Sequence, residues 1–556
     1  MKEEGDMDAV AAGRILPQPT LASAEFWSSG ADGTLRIARC ADCGAYTHPP
    51  LPACRVCGGR SMAFGAVSGN ATVVAFTVNW QQWLPAFPPP YVVAIVALDE
   101  DPGVRLTTNI VGCEPDDVFI GMRVRVTFLK AEEVYLPLFE PVPSAVSPGP
   151  VPEPRDVKTA LRAPASVSKF EDKVALTGVG QSAVGRRLMV DPVSLTVDAS
   201  LRAIADAGLT LADIDGVSSY PGPAADGFSE GGVTPLIEAL QLRPVWVNGA
   251  PETPGQIGSI ITAMLAVASG LCRHVLCFRT VWQASSSALQ RSGMWKTAPG
   301  RAVGMTEWRA PFGAMSAANW IACNASAYFH RYGGDRETLG WIALTARAHA
   351  ALNPEAIYRE PLTMDDYLSA RMVSTPFGLY DCDVPVDGAV AVIVSAADAV
   401  PDLASKPVYV EAVGTQILER LSWDQDTLTH MPQALGPSAH LWTRTSLRPA
   451  DVDVAELYDG FTFNALSWLE GLGFCEPGGA REFIDSGRGI SLGGTLPLNT
   501  HGGQLSAGRL HGYGFVREAM LQLRGEAAGR QVPDARVAVV TAGGGVPSGA
   551  MLLRAS

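Results

Sequence analysis

The sequence predicts an α/β protein preceded by a small all-β module and a cysteine-rich module. Three observations predict this. Before Pro141, β-branched runs are separated by Gly, Pro or Asp turns, which is typical of a small barrel. After Val174, strand-like runs alternate with segments of helical apolar spacing. Two Cys-x-x-Cys pairs precede both regions. The chain has 556 residues, which at roughly 150 per domain allows two to four domains.

The composition restricts the class of protein. Hydrophobic residues make up 47% and charged residues 18% of the chain, as in a folded protein. The net charge of −14 argues against binding to nucleic acid or anionic membrane, which needs basic surface. The acidic N-terminal stretch has no apolar signal segment, and the apolar run at residues 260–268 is too short to span a bilayer. We therefore expect a cytoplasmic protein with neither nucleic acid nor membrane as a partner.

Four of the ten cysteines form the first module. Cys40-x-x-Cys43 and Cys54-x-x-Cys57 offer two pairs of thiolates, the closed tetrahedral set that zinc prefers. A full shell of four sulfurs leaves no position for water, so this Zn²⁺ is expected to be structural. Two unrelated redox pairs are the alternative. We assign residues 1–62 to an N-terminal helix and a zinc ribbon.

The second module and a linker follow. The runs AVSGNATVVAFTV, YVVAIVALDE, VRLTTNIVG and MRVRVTFL predict a barrel over residues 63–142. From Pro141 to Pro154, six of fourteen residues are proline, which favours an extended connector. We place a Pro-rich linker at residues 143–173.

The remainder, residues 174–556, reads as a duplicated α/β domain. The strand that begins at Val174 has a counterpart at Pro407–Gly414. The pattern Leu211-x-x-Ile214-Asp215-Gly216-Val217 is echoed by Ala450-x-x-Asp453-Val454-Ala455-Glu456. These repeats give halves at 174–400 and 407–556, with a loop insertion at about 279–375. Two similar α/β halves usually place a site between them.

The N-terminal modules resemble a known family. Phe26-Trp27, the segment from Cys40 to Cys57 and the Ile120-Gly121-Met122 turn are similar to the zinc-ribbon plus OB-fold proteins that accompany thiolase-like acyl-CoA enzymes. The resemblance covers residues 15–142. It implies a rubredoxin-like zinc ribbon, an OB-fold barrel and a helper module, here fused to its partner enzyme.

The C-terminal part resembles the sterol-carrier or lipid-transfer branch of the thiolase superfamily, on the segments NTHGGQLSAGRLHGYG and TAGGGVPSG. This resemblance implies a duplicated αβαβα fold and a homodimer. A thiolase uses two cysteines and two histidines. The matching positions here are Glu252, Tyr458, Arg509 and Ala542. Without a thiolate and its base, covalent acyl transfer is not expected.

A thiolase-like sequence that lacks the two cysteines and has tyrosines in its glycine-rich and Glu-Leu-Tyr segments resembles the steroid side-chain-cleaving aldolases. The resemblance implies a carbon–carbon lyase that cleaves a β-hydroxyacyl-CoA by a retro-aldol step. Its implied substrate is a 17-hydroxy steroid side-chain CoA thioester, and its products are a ring ketone and propionyl-CoA. No nucleotide redox cofactor is implied, and an upstream hydratase is a possible partner. The two family tyrosines map onto Tyr458 and Tyr513.

Retro-aldol chemistry needs a base for the hydroxyl proton, a donor to the enolate oxygen and an acid for the enolate carbon. We assign Tyr458 and Tyr513 as the acid/base pair without deciding which is which. A free tyrosine has a pKa of ~10, so poising it as a base at pH 7 costs about 4 kcal/mol. Arg509 and His511 are placed to supply charge, and both are candidates to hold the enolate oxygen.

Contacts to CoA are expected from two sets of residues. Arg279, Arg291 and Arg301 lie in a basic stretch where thiolases insert a CoA-binding loop, and guanidinium groups suit phosphates. A solvated basic loop at a dimer contact is the alternative. The turns that contain Gly502, Gly503 and Gly544 are expected to present backbone N–H groups to the thioester.

Two other functions stay open from the sequence. One is a non-catalytic acyl-CoA or lipid-binding protein built on a degenerate thiolase. The other is a thiolase-like acyltransferase with an unusual nucleophile. The ring system of the substrate and the acyl chain released are not encoded in any motif.

Overall fold

The structure is a computed structural model. It describes residues 13–142, 161–222, 229–292, 300–420, 422–425, 427–543 and 548–556. The expected linker falls largely on residues 143–160, which lie outside the described residues. Among the helices described, none has both the length and the apolar character needed to cross a bilayer.

The cysteine-rich module is a small antiparallel sheet preceded by a short helix. Helix α1 spans Ala24–Ser28. Strand β1 (Arg36–Cys40) pairs with β2 (Tyr46–Thr47) on one side and β3 (Met62–Ala66) on the other. The ribbon sheet therefore runs to Ala66, a few residues beyond the expected boundary at 62.

The second module is the predicted barrel of antiparallel strands. Its strands are β4 (Asn70–Asn79), β5 (Tyr91–Leu98), β6 (Arg105–Thr108), β7 (Arg123–Ala131) and β8 (Val134–Pro141). Strand β4 pairs with both β5 and β7, and β7 pairs with β8. The inward side chains form one apolar core with those of α1 and β1.

The third part contains a mixed sheet of nine strands in the order β11-β10-β12-β15-β9-β16-β19-β18-β17. These strands are β9 (Val174–Gln181), β10 (Gly216–Ser219), β11 (Trp246–Gly249), β12 (His274–Trp282), β15 (Asp387–Ala396), β16 (Val408–Gly414), β17 (Val454–Glu456), β18 (Val537–Ala542) and β19 (Gly549–Ala555). The pairs β10–β11, β10–β12 and β17–β18 are parallel. The central strands β12 and β15 are buried along nearly their whole length, as expected for strands covered on both faces.

The remaining helices belong to this third part. They are α2 (Pro192–Asp206), α3 (Val233–Leu240), α4 (Gly258–Ala268), α5 (Gln283–Arg291), α6 (Ala317–Tyr332), α7 (Arg336–Ala351), α8 (Met364–Ser369), α9 (Pro432–Leu441), α10 (Thr462–Gly471), α11 (Ala480–Ile484) and α12 (Gly512–Arg524). Helix α2 packs on one face of the first half. Helices α4 and α12 belong to the large core that joins both halves.

The predicted duplication is present, with a register one residue away from the expected one. A 3₁₀ turn precedes β10 at Leu211–Asp213 and β17 at Pro449–Asp451. The carboxylate of Asp215 accepts N–H groups at the start of β12, at 2.7 and 2.9 Å. Asp453 does the same at the start of β18, at 2.8 and 2.9 Å. Asp215 therefore corresponds to Asp453.

The segment between β12 and β15, residues 283–386, ties the modules together. In this segment the indole of Trp308 stacks on Trp27 of α1, with ring centroids 5.1 Å apart. The Trp27 indole N–H donates to Glu307, also in the segment, at 2.6 Å. The same segment adds β13 (Met372–Ser374) to the edge of β4, followed by β14 (Phe377–Gly378). The barrel and the α/β domain thus share a sheet and a core.

Candidate active site

Tyr458 lies just beyond the carboxyl end of β17, where sites in α/β sheets usually form. Its own N–H donates to the Thr541 hydroxyl at 2.8 Å. The Asn499 side-chain amide holds the preceding residue, accepting from Leu457 N–H at 2.7 Å and donating to Leu457 C=O at 2.9 Å. The phenol is 3% exposed, so Thr541 and Asn499, both from the second half of the duplication, fix the backbone beneath a buried side chain.

Arg509 is the charged neighbour of Tyr458. Its Nε lies 3.1 Å from the Asp383 carboxylate, and one Nη donates to Gln283 at 2.9 Å. Burial raises the pKa of Tyr458, while the Arg509 charge lowers it in part. Burial also disfavours the Arg509 cation, but Asp383 and the phenol outweigh burial and raise the pKa of Arg509. The arginine is charged, and the Tyr458 phenol is protonated at neutral pH.

Arg279 and His511 form a second part of the site. Arg279 lies in the central strand β12 and is 1% exposed. Its Nε and one Nη both donate to Nδ1 of His511, at 3.1 and 2.9 Å. Burial and the charges of Arg509 and Arg279 lower the pKa of His511 well below its usual value. His511 is therefore neutral, with its ring proton on Nε2.

The backbone at His511 is unusual for a residue with a side chain. Its φ is +54°, a region that L-residues rarely adopt and that costs about 1–3 kcal/mol. The residue stands immediately before α12, and the surrounding structure must hold this backbone conformation in place.

Tyr513 is fully buried in the first turn of α12. Its hydroxyl lies 2.7 Å from Oγ of Ser259 in α4. Because Ser259 donates its own proton to Gln256 C=O at 2.9 Å, the Tyr513 hydroxyl donates to Ser259. Burial raises the pKa of Tyr513 well above its usual value. Tyr513 thus joins the two central helices.

The glycine turn beside Tyr458 is packed against Asp459. This carboxylate accepts Gln504 N–H at 2.8 Å and the Asn499 amide at 2.9 Å. Burial raises the pKa of Asp459 to about 7. A Cβ on Gly503 would lie 1.9 Å from this carboxylate, and one on Gly502 would lie 2.6 Å from Ala350 Cβ. Both positions therefore require glycine, because a side chain at either one would collide with the residue packed against it.

The two segments that match the cysteine-bearing loops of thiolases lie in contact. Gln256 donates to Gly543 C=O at 2.7 Å, and a Cβ on Gly255 would lie 3.0 Å from Ala542 Cβ. In the first of these loops Glu252 is exposed, whereas Thr253 is buried. The side chain that faces inward is thus one residue later than the residue matched from the sequence.

Of the residues expected to contact CoA, the structure describes all but Gly544, which lies outside the described residues. The Arg279 guanidinium is buried against His511, inside the sheet rather than in an insertion. Arg301 pairs with Glu132 and Glu133 of the barrel, and Arg291 is exposed at the end of α5. These arginines do not form one cluster.

A cavity of about 340 Å³ opens beside Asp383. Arg186 contacts the Tyr358 hydroxyl at 2.5 Å. Arg347 stacks over the rings of Tyr358 and Tyr380, 5.3 and 5.7 Å from their centroids. The cavity is therefore lined by two cations and two aromatic rings, and also by Asp383, the carboxylate that pairs with Arg509.

The four ribbon cysteines fit a zinc ion. Their sulfurs lie within 4.8 Å of one another, with Cys40–Cys57 at 3.7 Å and Cys43–Cys54 at 3.5 Å. Four sulfurs roughly 2.3 Å from a tetrahedral zinc lie about 3.8 Å apart. Gly44 and Gly58, which follow the second cysteine of each pair, both have φ of +75°. These cysteines would hold the metal as a structural centre.

Sequence reasoning missed four residues of the site. They are Tyr220, Asp383, Asn499 and Arg347. Arg347 lies in the expected insertion and Asp383 lies between it and β15, and no motif marks either as a site residue. Asn499 stands in the quoted glycine-rich segment, and Tyr220 ends the first copy of the internal repeat. The repeat in its correct register would have singled out Tyr220.

Family models match all three parts of the chain. Residues 27–63 match the rubredoxin-like zinc ribbon domain of ChsH2, and residues 65–129 match the ChsH2 C-terminal OB-fold domain. Residues 419–553 match the thiolase C-terminal domain-like family. The predicted ribbon, OB-fold and thiolase-like fold are confirmed.

Relatives cover more than two thirds of the chain. A protein named steroid side-chain-cleaving aldolase, from Thermomonospora curvata, is 32% identical, over 70% of this chain and 100% of its own. A Mycobacterium tuberculosis protein named 17-hydroxy-3-oxo-4-pregnene-20-carboxyl-CoA lyase is 31% identical, over 68% of this chain and 99% of its own. The solved structure titled Ltp2-ChsH2(DUF35) aldolase aligns with a TM-score of 0.62 at 31% identity, over 70% of this chain and 99% of its own. The chain belongs to the family of steroid side-chain-cleaving aldolases.

Proposed function

We propose that the protein is a carbon–carbon lyase that cleaves a β-hydroxyacyl-CoA by a retro-aldol reaction. The substrate is a 17-hydroxy steroid whose side chain ends in a CoA thioester, and the products are the 17-ketone and propionyl-CoA. The observation that carries the proposal is a buried phenol beside a charged guanidinium, where a condensing thiolase has histidines. The relatives named above support the same reaction class.

Tyr458 supplies the proton to the enolate carbon. Burial keeps the phenol protonated in the resting enzyme. As the carbon–carbon bond breaks, its electron pair moves into the thioester enolate, and the phenol O–H is the proton source for the α-carbon. The phenolate left behind lies against the Arg509 cation, which stabilises it at the moment of transfer.

His511 supplies a hydrogen bond to the enolate oxygen. With Nδ1 occupied by Arg279, the neutral ring has its proton on Nε2, free to donate. A neutral donor suits this task because it stabilises the negative oxygen without giving up its proton. Removal of one such donor typically costs about a hundredfold to a thousandfold in rate.

The cysteines near the site do not support acyl transfer. Cys382 lines the cavity beside Asp383, and burial together with neighbouring carboxylates raises the pKa of its thiol well above the usual value. Burial raises the pKa of Cys277 as well. A protonated thiol is a weak nucleophile, so these residues favour the lyase over the acyltransferase.

The CoA end of the substrate is assigned to the cavity beside Asp383. Arg186 and Arg347 give its lining the positive charge that phosphates bind. The rings of Tyr358 and Tyr380 offer flat apolar surface to a nucleotide base. Arg291 and Arg301 remain candidates for a more peripheral contact.

A homodimer and a supplying enzyme complete the proposal. Strand β11 is one edge strand of the nine-stranded sheet. Val245, just before it, and Val247, within it, are 65% and 50% exposed. An exposed apolar edge strand favours pairing with a second copy.

A β-hydroxyacyl thioester is made by adding water across the double bond of an unsaturated acyl-CoA, so a hydratase must act before this enzyme, in the cytoplasm.

Incubation of the protein with a 17-hydroxy steroid side-chain CoA thioester tests the proposal. We expect equal amounts of 17-ketone and propionyl-CoA, and a loss of about a hundredfold or more in kcat for Tyr458→Phe. Tyr409→Phe is the control, since Tyr409 also lies under an arginine, Arg554, but on β16. Tight binding of the thioester without products would favour the non-catalytic alternative instead.

A further inference from the structure

Gln504 has a buried side chain that lacks hydrogen-bond partners. It is 1% exposed, and neither atom of its amide is hydrogen-bonded to any residue that the structure describes. A second buried glutamine, Gln522 of α12, shows the usual situation. Its amide nitrogen donates to the Thr500 hydroxyl and to Arg530 C=O, both at 2.9 Å, and its oxygen accepts Val532 N–H at 2.8 Å. Because an unpaired amide is costly to bury, a ligand is favoured as the missing partner of Gln504.

The backbone of Gln504 is fixed on both sides. Its N–H donates to the Asp459 carboxylate at 2.8 Å, and its C=O accepts Val384 N–H at 3.0 Å. The residue lies in the π-helical turn Gly503–Ala507, and single π turns are frequent at functional sites. Because the main chain is held in this way, the amide stays in the buried interior.

Gln504 lies between the Tyr458 phenol and the cavity assigned to the CoA end of the substrate. On one side, Asp459, which accepts its N–H, directly follows Tyr458 in the sequence. Burial raises the pKa of Tyr458, and the Gln504 amide is among the neighbours that oppose this shift, although no hydrogen bond joins the two groups. On the other side, Val384 and Leu505 line the cavity. Tyr458 is itself 3% exposed, so a substrate that reaches the phenol enters the same buried space as the amide.

The amide offers one acceptor and one donor side by side, and its ligand must match both. The thioester oxygen accepts hydrogen bonds only. The β-hydroxyl can donate its proton to the amide oxygen while its own oxygen accepts from the amide nitrogen. Its carbon is bonded to the α-carbon that Tyr458 protonates, whereas the pantetheine amides lie several bonds away, beyond the sulfur. The β-hydroxyl is therefore the substrate group that fits both the position and the chemistry of Gln504.

We propose that Gln504 binds the β-hydroxyl of the substrate and is the residue by which the enzyme distinguishes a hydroxylated acyl-CoA from one without the hydroxyl. This inference rests on the proposed function. The amide takes no proton from the substrate. When the carbon–carbon bond breaks and the hydroxyl becomes a ketone, the amide nitrogen continues to donate to the same oxygen. A thioester without the hydroxyl leaves both amide atoms unpaired, and a loss of this kind produces strong discrimination.

Unfolding in urea separates this role from a structural one, without any substrate. Gln504→Leu replaces an unpaired buried amide by an apolar side chain of similar size, so we expect an unchanged or higher midpoint. Gln522→Leu removes the hydrogen bonds described above, so we expect a lower midpoint. Gln504→Met repeats the test with an unbranched side chain. A decrease for both Gln504 variants as large as that for Gln522→Leu overturns the inference, because the amide would then have structural partners.

Binding measurements test recognition of the hydroxyl itself. In the Tyr458→Phe protein, where cleavage is blocked, Kd is compared for the 17-hydroxy thioester and for the same thioester without the hydroxyl. We expect the hydroxylated ligand to bind about tenfold or more tightly than the other. Adding Gln504→Leu should reduce this ratio to about twofold or less, and adding Gln522→Leu should keep it. A ratio that survives Gln504→Leu overturns the inference.

Two further outcomes distinguish this inference from the proposed function. If the Tyr458→Phe protein binds both thioesters with equal affinity while the unchanged protein forms the 17-ketone, the inference is wrong and the reaction is right. If the Tyr458→Phe protein binds neither thioester and the unchanged protein forms no 17-ketone, the proposed substrate is wrong and the inference falls with it.

Discussion

The guanidinium of Arg279 donates two hydrogen bonds to the same ring nitrogen of His511, from Nε at 3.1 Å and from Nη at 2.9 Å. Two donors on Nδ1 exclude a proton from that position, and the positive charge opposes protonation at Nε2. Arg279, expected from the sequence to contact CoA phosphates, is therefore placed to set the tautomer and charge of an imidazole. The chemistry assigned to His511 depends on this pair.

Replacing Arg279 tests this relationship. In Arg279→Met the pKa of His511 rises toward its ordinary value of about 6.5, because two donors and one charge are removed. We expect the loss of kcat/KM on acidification to occur at higher pH than in the unchanged protein, together with a fall of about a hundredfold in kcat. Arg202→Met, on the exposed face of α2, is the control. Identical pH profiles in both variants would contradict the assignment.

Gly503 tests the packing beneath Tyr458. An alanine Cβ there would meet the Asp459 carboxylate at 1.9 Å, and the residue has φ of +59°. We expect Gly503→Ala to lower the free energy of unfolding by about 1–3 kcal/mol and to reduce kcat by about tenfold or more, because a displaced Asp459 releases Asn499. Gly493→Ala, where nothing lies within 4 Å, should change neither. Equal behaviour of the two variants in urea unfolding and in the cleavage assay would count against this packing.

The zinc ribbon predicts a metal that stabilises the fold and takes no part in chemistry. Cys43→Ser removes one of four ligands, so we expect loss of bound zinc and a lower thermal unfolding temperature. Cys113→Ser, a cysteine outside the cluster, should keep its zinc. Zinc content by atomic absorption and the unfolding temperature are the two measurements. A Cys43→Ser protein with full zinc content would disprove the four-sulfur site.

The stack of Trp308 on Trp27 predicts that the N-terminal modules are part of the stable unit. Trp308 is 9% exposed and contacts the rings of Phe26 and Trp27. Trp308→Ala should lower the free energy of unfolding by about 3–5 kcal/mol. Trp83→Ala, at a ring that is 38% exposed, should cost much less. Urea denaturation compares the two, and similar values would show that the stack contributes little.

The modular organisation could be predicted from local patterns. Cysteine spacing specifies the ribbon, because four sulfurs within a short chain can meet around one metal. Alternating β-branched runs specify the barrel, and helical apolar spacing specifies α2 and α4. The joining of the modules could not be predicted, because Trp308 and strand β13 lie far along the chain from α1 and β4, which they contact.

The site was only partly predictable for a similar reason. Tyr458, Arg509 and His511 stand in recognisable segments, and the structure brings them together. Asp383 and Tyr220 come from distant segments, and only the folded sheet and insertion bring them to the same place. Tyr513 stays a prediction from the sequence, since its position in a glycine-rich segment does not reveal that Ser259 accepts its hydroxyl.

A single-turnover reaction with the steroid thioester in D₂O, followed by mass spectrometry of both products and of the intact protein, tests the account most directly. Protonation of an enolate predicts one deuterium in each molecule of propionyl-CoA, none in the ketone, and no mass added to the protein. Propionyl-CoA without deuterium, or an acyl group bound to the protein, would contradict the account.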